Sequence, residues 1–312
     1  MVVSHFFEKQ MLMNKIKAAI DIGTNSTRLL VAALNGGQAK DLHREARVTR
    51  LGQDVHKNRV LADEAIKRTV AVLIDYKKIV KNLGATEINV GATSAARDAK
   101  NIQHFIDSVK EATGWSVKIL SAQEEASLSF QGATQCLSNI PLPPLVLDIG
   151  GGSTELITKS LSYSKDIGSV RLTELFFKND PPLATELDEA AKYVIEVYKQ
   201  PVEEIKKQNA DFQMIGVAGT ITTIAALNLK LAFYESEKVH ASMLSVESAG
   251  EIFNRLKKLT TAERKAIKVI QPGREDVIVA GALILSTLMK MLKVKELLVS
   301  ESDILDGLLR IN

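Results

Sequence analysis

The chain has 312 residues, of which 46% are hydrophobic and 25% charged, and its formal net charge is +3. This length predicts two domains, and the composition excludes a disordered chain, a collagen-like repeat and a small protein held by disulfides. So weak a positive charge, without any basic tract, argues against a nucleic-acid partner.

The first half alternates apolar runs of strand length with longer helical patterns. Residues 35–37 form a hairpin signal between the second and third strands, and Gly84 and Gly114 are each expected to end a helix. The predicted elements are, in chain order, the strands Lys17–Ile22, Arg28–Leu34 and Lys40–Val48, the helix Asp63–Leu83, the strand Glu87–Val90, the helix Asn101–Thr113, the strand Ser116–Leu120 and the helix Ala122–Cys136.

A proline-rich break at residues 141–144 separates this half from a second one in which the pattern begins again. The predicted elements are the strands Leu145–Ile149, Thr154–Lys159 and Ser162–Ile167, the helices Val170–Lys178 and Thr185–Gln208, the strand Met214–Val217, the helices Thr220–Leu229, Val246–Lys258 and Arg274–Leu292, the strand Glu296–Val299 and the helix Ile304–Arg310. Mixed strands and helices of this kind predict an α/β fold.

Few features point to a compartment. Cys136 is the single cysteine, which excludes an intramolecular disulfide and a zinc site built on several cysteines. The longest apolar stretch, Val277 to Leu285, is too short to cross a bilayer, and the amino terminus lacks the pattern of a secretion signal. We therefore predict a cytoplasmic protein with no membrane partner. Residues 1–15 are expected to form an N-terminal extension before the first domain.

The two halves share an internal repeat. IDIGTNSTRLLV at residues 20–31 aligns with LDIGGGSTELIT at residues 147–158, and six of the twelve positions are identical. Each copy consists of a buried strand, an Asp-x-Gly turn and a second strand that continues into a three-strand meander. We interpret the repeat as two halves of similar build that face each other across a cleft.

Each copy of the repeat places a carboxylate and a turn of small residues at the end of a strand. Turn amides and hydroxyls can hold phosphate oxygens, and a carboxylate beside a phosphate needs a cation, so Mg²⁺ held through Asp148 is the natural interpretation. The alternative is that each segment is a plain β-hairpin capped by aspartate. The occurrence of the same pattern twice in the chain makes this alternative less favoured. The candidate phosphate-binding residues in the turns are Asp21, Gly23, Thr24, Asn25, Ser26, Arg28, Gly150, Gly151, Gly152, Ser153 and Thr154.

Three further groups could contact an anion. Gly219 and Thr220 follow a strand and open a helix, whose amides favour an anion but also fit a plain cap. Arg97 and Arg274, like Arg28, could bind an anion through two hydrogen bonds, although each alone is more often a surface arginine.

A candidate base lies at the start of the predicted helix Ala122–Cys136. Glu124 completes a capping box with Ser121, which explains it structurally. Glu125 points elsewhere and is available as a base, although taken alone it is more often structural.

Six sequence blocks occur in one order, namely AIDIGTNSTRLL, GATSAARDA, EEA, DIGGGSTEL, GTITT and PGREDVIVAGALIL. Together they resemble the exopolyphosphatase / guanosine pentaphosphate phosphatase family of the actin-like ATPase superfamily, over essentially the whole chain from residue 16. The resemblance implies two actin-like domains of ribonuclease H type around an interdomain cleft. Domain I is expected over residues 16–131 with a C-terminal helix at 302–312, and domain II over residues 132–301. A homodimer is compatible with the resemblance, but the sequence offers no interface for it.

The resemblance also implies roles for the residues that match the family's motifs. Glu125 falls on the catalytic glutamate, which overturns its structural interpretation. Asp148 and Glu155 fall on the acidic residues linked to Mg²⁺, and the two repeat turns and the turn at residues 219–220 fall on phosphate-binding loops. One departure lies near the C-terminus, where Asp303 and Leu305 replace the family's usual glycine and arginine.

The expected reaction is hydrolysis of the terminal phosphoryl group of a phosphoanhydride chain, with Glu125 as general base and Arg28 and Arg97 neutralising the phosphates. Inorganic polyphosphate is the first choice of substrate, because short members of the family resemble dedicated polyphosphatases, and guanosine pentaphosphate is the second. An actin-like-fold kinase and a non-catalytic phosphate sensor remain alternatives. A kinase would need a nucleoside pocket and an acceptor site, and no segment clearly supplies either.

Overall fold

The computed structural model describes residues 15–35, 38–137, 140–208 and 211–311. Residues 1–14 of the predicted N-terminal extension lie outside the described residues, whereas Lys15 already belongs to the first strand. Gly36 and Gly37 of the predicted hairpin also lie outside them, and the strands on either side pair antiparallel as that prediction requires.

The elements are numbered here in chain order. The strands are β1 (Lys15–Ile22), β2 (Ser26–Asn35), β3 (Gln38–Val48), β4 (Glu87–Ala92), β5 (Lys118–Ile119), β6 (Pro144–Ile149), β7 (Thr154–Ile157), β8 (Ser162–Lys165), β9 (Gln213–Val217), β10 (Met243–Ser245) and β11 (Glu296–Val299). The helices are α1 (Val55–Asn58), α2 (Asp63–Asn82), α3 (Ser94–Asp98), α4 (Ile102–Thr113), α5 (Ala122–Gln135), α6 (Ser169–Phe176), α7 (Ala184–Gln208), α8 (Ala218–Asn228), α9 (Ser236–Val239), α10 (Val246–Leu256), α11 (Thr261–Lys265), α12 (Ile278–Leu292) and α13 (Ile304–Leu309).

Within the described ranges the strands form a five-stranded and a six-stranded sheet. The first has the order β3-β2-β1-β4-β5, and the second has the order β8-β7-β6-β9-β11-β10. Each sheet begins with an antiparallel meander, whose first strand in the chain then pairs in parallel with a later strand, β1 with β4 and β6 with β9. The predicted α/β class, with two halves of similar build, is confirmed.

The sequence repeat has a geometric counterpart in the two turns. Gly23 N donates a hydrogen bond to Ser26 O at 2.9 Å, and Gly150 N donates to Ser153 O at 3.0 Å. In the strand pairing that follows, Asp21 lies opposite Arg28 and Asp148 lies opposite Glu155. The two turns therefore share one backbone geometry, but the residue that faces the aspartate is basic in one copy and acidic in the other.

Each sheet has its own hydrophobic core. Helices α2 and α4 pack on the first sheet through buried side chains such as Leu73, Tyr76 and Phe105. Helices α7, α8, α10 and α12 contribute to the core of the second sheet, and α12 is apolar around its circumference because it is buried on nearly every side. Leu305 and Leu308 of α13 join a separate cluster with β1 and β2, so the C-terminal helix packs on the first sheet.

Short elements differ most from the predictions. The four-residue helix α1 has no counterpart among the predicted elements. The predicted helix Arg274–Leu292 begins only at Ile278, so Arg274 lies in a turn before it. None of the helices within the described residues is long and apolar enough to cross a membrane.

Candidate active site

A cavity of about 80 Å³ lies where the turns of the two repeats meet. Most of the predicted site residues form its wall, although they come from segments far apart in the chain. They are Asp21, Gly23, Thr24, Asn25, Ser26, Arg28, Glu125, Asp148, Gly150, Gly151, Gly152, Ser153, Gly219, Thr220 and Arg274. Three predicted residues, Arg97, Thr154 and Glu155, are not part of this wall.

The turns of the two halves touch each other in the cavity. A Cβ atom at Gly152 would lie 2.5 Å from Thr24 Oγ1 and 2.6 Å from Ser94 Oγ, so this approach requires glycine. Both hydroxyl oxygens are buried and have no hydrogen-bond partner. Unpaired buried hydroxyls are costly, typically about 1–3 kcal/mol each. They are therefore groups that a phosphate oxygen would satisfy.

Glu125 is turned into the cavity by the helix start that precedes it. The predicted capping box is confirmed, since Ser121 Oγ accepts a hydrogen bond from Glu124 N while the Glu124 carboxylate accepts one from Ser121 N. One residue further along α5, the Glu125 side chain is only 13% exposed. Arg97 Nη1 donates to Glu125 Oε2 and also to Leu120 O at 2.9 Å. The guanidinium of Arg97 thus contacts the candidate base and holds it in one orientation.

The carboxylates around the cavity are more basic than usual. Burial raises the pKa of Glu125 to about 7, against the opposing effect of Arg97. Burial also raises the pKa of Asp148 to about 6, and it raises the pKa of Glu155 well above its ordinary range. The negative charges of neighbouring carboxylates further raise the pKa of Asp148 and of Glu155. This part of the site therefore favours the arrival of positive charge.

The carboxylates fit a cation that shares its coordination with a substrate. Among the residues that the structure describes, no group of three or more His, Cys, Asp and Glu side chains is arranged to hold a metal ion. Mg²⁺, however, usually takes only one or two carboxylates and completes its coordination with phosphate oxygens and water. Asp148 faces the cavity and is oriented by Ser129 Oγ, which donates to its Oδ2 at 2.6 Å, and Asp21 Oδ1 is buried without a hydrogen-bond partner. Glu155 is buried outside the wall, where it accepts a hydrogen bond from Ser164 at 2.7 Å.

Two arginines reach the cavity in different electrostatic states. Arg28 donates from Nε (3.0 Å) and Nη2 (2.7 Å) to Asp21 Oδ2, and from Nη1 to Asp303. Burial alone would lower the pKa of Arg28, but the charges of Asp303 and Asp21 outweigh it and raise the pKa. Burial lowers the pKa of Arg274, whose buried Nε has no hydrogen-bond partner. Arg274 therefore has more capacity left for an anion than Arg28.

The third predicted loop packs against the side chain of Arg274. A Cβ atom at Gly219 would overlap the guanidinium of Arg274, so glycine lets this side chain lie against the backbone. Ala218, which precedes it, has a φ of 67° and opens α8 two residues before the predicted start. That left-handed conformation costs a residue with a Cβ atom about 1 kcal/mol. Strain of this kind is common in loops that approach a ligand.

A second cavity of about 230 Å³ adjoins the first and shares Arg28, Gly219 and Arg274 with it. Its polar side chains are largely paired within the protein, since Arg44 binds Asp306 and the Tyr234 hydroxyl donates to Glu301. The two residues that depart from the family pattern both line this cavity: Asp303, which also caps α13, and Leu305. The departure thus gives Arg28 a second carboxylate partner.

Sequence reasoning missed the polar residues Thr93, Ser94 and Ser169 of the first cavity, and also Ala218. Thr93 and Ser94 lie in the GATSAARDA segment directly after β4, beside the end of β1 with which β4 pairs. Small polar residues at that place are the signal that could have identified them. Ser129, which orients Asp148, lies inside a helix and gives no such signal.

Comparison with known proteins gives consistent matches. The model of the Ppx/GppA phosphatase family matches residues 30–310. Exopolyphosphatase 2 of Mycobacterium tuberculosis is 38% identical over 308 residues, which cover 93% of this chain and 96% of that protein. Among solved structures, an exopolyphosphatase-like protein superposes with a TM-score of 0.87 at 34% identity, covering 95% of this chain and 97% of that one. An exopolyphosphatase from Cytophaga hutchinsonii also has a TM-score of 0.87, at 26% identity, and covers 94% of this chain and 96% of its own.

Proposed function

Because the chain belongs to the Ppx/GppA phosphatase family, we propose that it releases terminal orthophosphate from inorganic polyphosphate with Glu125 as general base. The single observation that carries the proposal is the environment of Glu125. Its carboxylate is held by Arg97 at the wall of a cavity formed by three phosphate-type loops, and its pKa is raised to about 7.

The loops are suited to hold the terminal phosphates. Residues 23–26 and 150–153 of the two turns line one small cavity, together with the unpaired hydroxyls of Thr24 and Ser94. The guanidinium of Arg274 adds positive charge with an unpaired Nε. Hydrolysis of a phosphoanhydride needs mainly positioning and charge stabilisation, which these groups provide.

In the proposed reaction Glu125 accepts the proton of the attacking water. A water molecule on the cavity side of Glu125 donates its proton to the carboxylate as its oxygen attacks the terminal phosphorus, and the bond to the bridging oxygen breaks. A base with a pKa near 7 combines a useful ionised fraction with good proton affinity at neutral pH. Arg97 fixes the direction of the carboxylate.

Mg²⁺ is the cofactor that we propose, with Asp148 as its protein ligand and Asp21 nearby, because these carboxylates lie beside the phosphate loops. When bound, it would neutralise charge on the phosphate oxygens. We place Glu155 behind this site, where its pKa is raised well above the ordinary range, so that a cation bound nearby would favour its ionised form.

The test is phosphate release from long-chain polyphosphate in the presence of Mg²⁺, comparing the wild type with Glu125→Gln. We expect the variant to fold normally and to lose at least ~10²-fold in rate, as for removal of a general base. Glu124→Gln is the matched control, because glutamine preserves the capping box and Glu124 faces solvent. Near-normal turnover by Glu125→Gln would contradict the assignment.

A second candidate substrate is guanosine pentaphosphate, used at the same site. The observation that favours it is the adjoining cavity of about 230 Å³, whose charged side chains are largely paired and which could receive an uncharged nucleoside. Faster release from the nucleotide than from polyphosphate in the same assay would select this candidate.

A further inference from the structure

The second phosphate loop is hydrogen-bonded directly to helix α6. Ser169 N donates to Gly150 O and Val170 N donates to Gly151 O, both at 2.9 Å. Gly168 packs so closely on the backbone of Gly151 that a Cβ atom there would overlap it. Helix α6 is therefore built to move together with this loop.

Helix α6 reaches across to the first half through Arg171. Arg171 Nη2 donates to Asp98 Oδ2 at 2.5 Å, and each of the two side chains is only 13% exposed. One turn further along α6, Glu174 accepts a hydrogen bond from Asp54 N at 3.1 Å and faces His56 of α1. Two residues of one helix in the second half thus bind the first half.

Asp98 is joined directly to the group that orients the base. It is the last residue of α3, and the residue before it is Arg97, which donates to Glu125. A continuous set of contacts therefore runs from the second phosphate loop through α6, Arg171 and Asp98 to Arg97 and Glu125. The ion pair between the halves is the only step of this path in which neither partner lines the cavity or touches Glu125.

We propose that Arg171 is a positioning residue, which holds Arg97 and thereby Glu125 in the reactive orientation when the second phosphate loop lies against the first half. It acts through Asp98 and does not touch the substrate. The inference rests on the proposed function, because it assigns the consequence of the ion pair to the base Glu125.

The first experiment compares Arg171→Met with Arg59→Met in the full-length protein. Arg59 also approaches Asp98, at 3.5 Å, but it lies in the same half of the molecule and is 52% exposed, so its loss removes charge near Asp98 without removing the bridge. We expect Arg171→Met to lower kcat by about tenfold or more, since a displacement of about 1 Å can cost ~10²-fold, with a smaller change in KM. Arg59→Met should leave kcat within about twofold of the wild type.

The second experiment asks whether Arg171 acts through Glu125. In a Glu125→Gln background, where we expect the phosphate-binding groups to sustain residual turnover, Arg171→Met should lower kcat by less than about twofold. Asp98→Asn, which keeps the shape of the side chain, should reproduce the loss of kcat and should not add to Arg171→Met. Thermal unfolding of each variant reports separately on the fold.

Two results would overturn the inference. One is an Arg171→Met enzyme as active as Arg59→Met, and the other is an equal loss from Arg171→Met in the wild-type and Glu125→Gln backgrounds. Failure of the proposed function looks different, because Glu125→Gln alone would then keep the wild-type rate whatever Arg171 does.

Discussion

Glu124 and Glu125 are adjacent residues of one type with opposite chemistry. Lys118 and the capping box hold the pKa of Glu124 at about 2, whereas burial raises the pKa of Glu125 to about 7. Successive residues of a helix point about 100° apart, so one side chain meets solvent and the other the cavity. The environment of each carboxylate, and not its residue type, decides which one is suited to act as a base.

The raised pKa predicts a pH dependence. Glu125 must be ionised to accept a proton, and its ionised form is lost as the pH falls through about 7. We therefore expect kcat/KM to fall about tenfold per pH unit on the acid side of that value. A pH–rate profile on polyphosphate checks this, with the protein's unfolding followed over the same range. A flat profile from about pH 5 to 8 would contradict the assignment of Glu125.

Gly219 offers a test of the phosphate contact of Arg274. Gly219→Ala places a methyl group where the Arg274 guanidinium lies and should displace it. We expect KM for polyphosphate to rise on the order of tenfold, as for a lost charge-assisted contact. Gly250→Ala is the matched control, because the nearest atom to its new methyl group is 4.0 Å away and the residue lies in helix α10. Equal KM values for the two variants would show that Arg274 does not contribute to substrate binding.

At the scale of elements, the start of α8 is strained at Ala218. Ala218→Gly removes the left-handed penalty but adds freedom to the unfolded chain, so the free energy of unfolding should stay the same or rise by up to about 1 kcal/mol. Ala218→Val should lower it by more than about 1 kcal/mol, because a branched residue fits φ of 67° poorly. Denaturant titrations of both variants give the comparison. A valine variant as stable as the wild type would show that this turn relaxes.

Elements whose hydrophobic residues recur at a clear spacing could be predicted from the sequence. The buried runs of β1, β6 and β9 and the amphipathic helices α2 and α4 lie within a few residues of their predicted bounds. Helices of four or five residues, such as α1 and α3, contain barely one turn and show no period. Arg274 is predicted as the first residue of a helix because it follows Pro272 and Gly273, whereas the helix begins only at Ile278.

The loops of the site could be predicted, but their contacts could not. Asp-x-Gly turns and small residues after strands mark the segments that line the cavity. Arg28 binds Asp303, which lies 275 positions away, and no local pattern indicates such a pair. In the same way, the hydrogen bond from Arg97 to Glu125 joins two separate motifs. Pairing between distant segments depends on how the sheets and helices pack.

For the whole molecule, we keep the proposed division into residues 16–131 with 302–312 and residues 132–301. The chain crosses between the two parts in α5 and again just before α13. These crossings lie side by side, since a Cβ atom at Gly132 of α5 would overlap the backbone of Asp303. A pair of adjacent crossings is a suitable place for a hinge.

The size of the cavity predicts movement at this hinge. Binding pockets for small ligands usually measure about 300–1,000 Å³, whereas the space between the turns is about 80 Å³. We therefore expect the halves to part when a phosphate chain enters and to close around it afterwards. Small-angle scattering of the Glu125→Gln variant with and without polyphosphate should show a change in the radius of gyration. Identical scattering curves would indicate a rigid pair.

The repeat places Arg28 in one turn where the other has Glu155, and this difference gives the site a direction. Two turns with the same backbone, facing each other, would by themselves present two interchangeable ends to a linear ligand. The residue opposite the aspartate is a cationic arginine in one turn and, in the other, a buried glutamate whose pKa is raised well above its usual range, so the two ends differ in charge. A phosphate chain, whose own two ends are alike, is thereby bound with one end distinguished from the other. Such an asymmetric site is compatible with the proposed release of phosphate from one terminus.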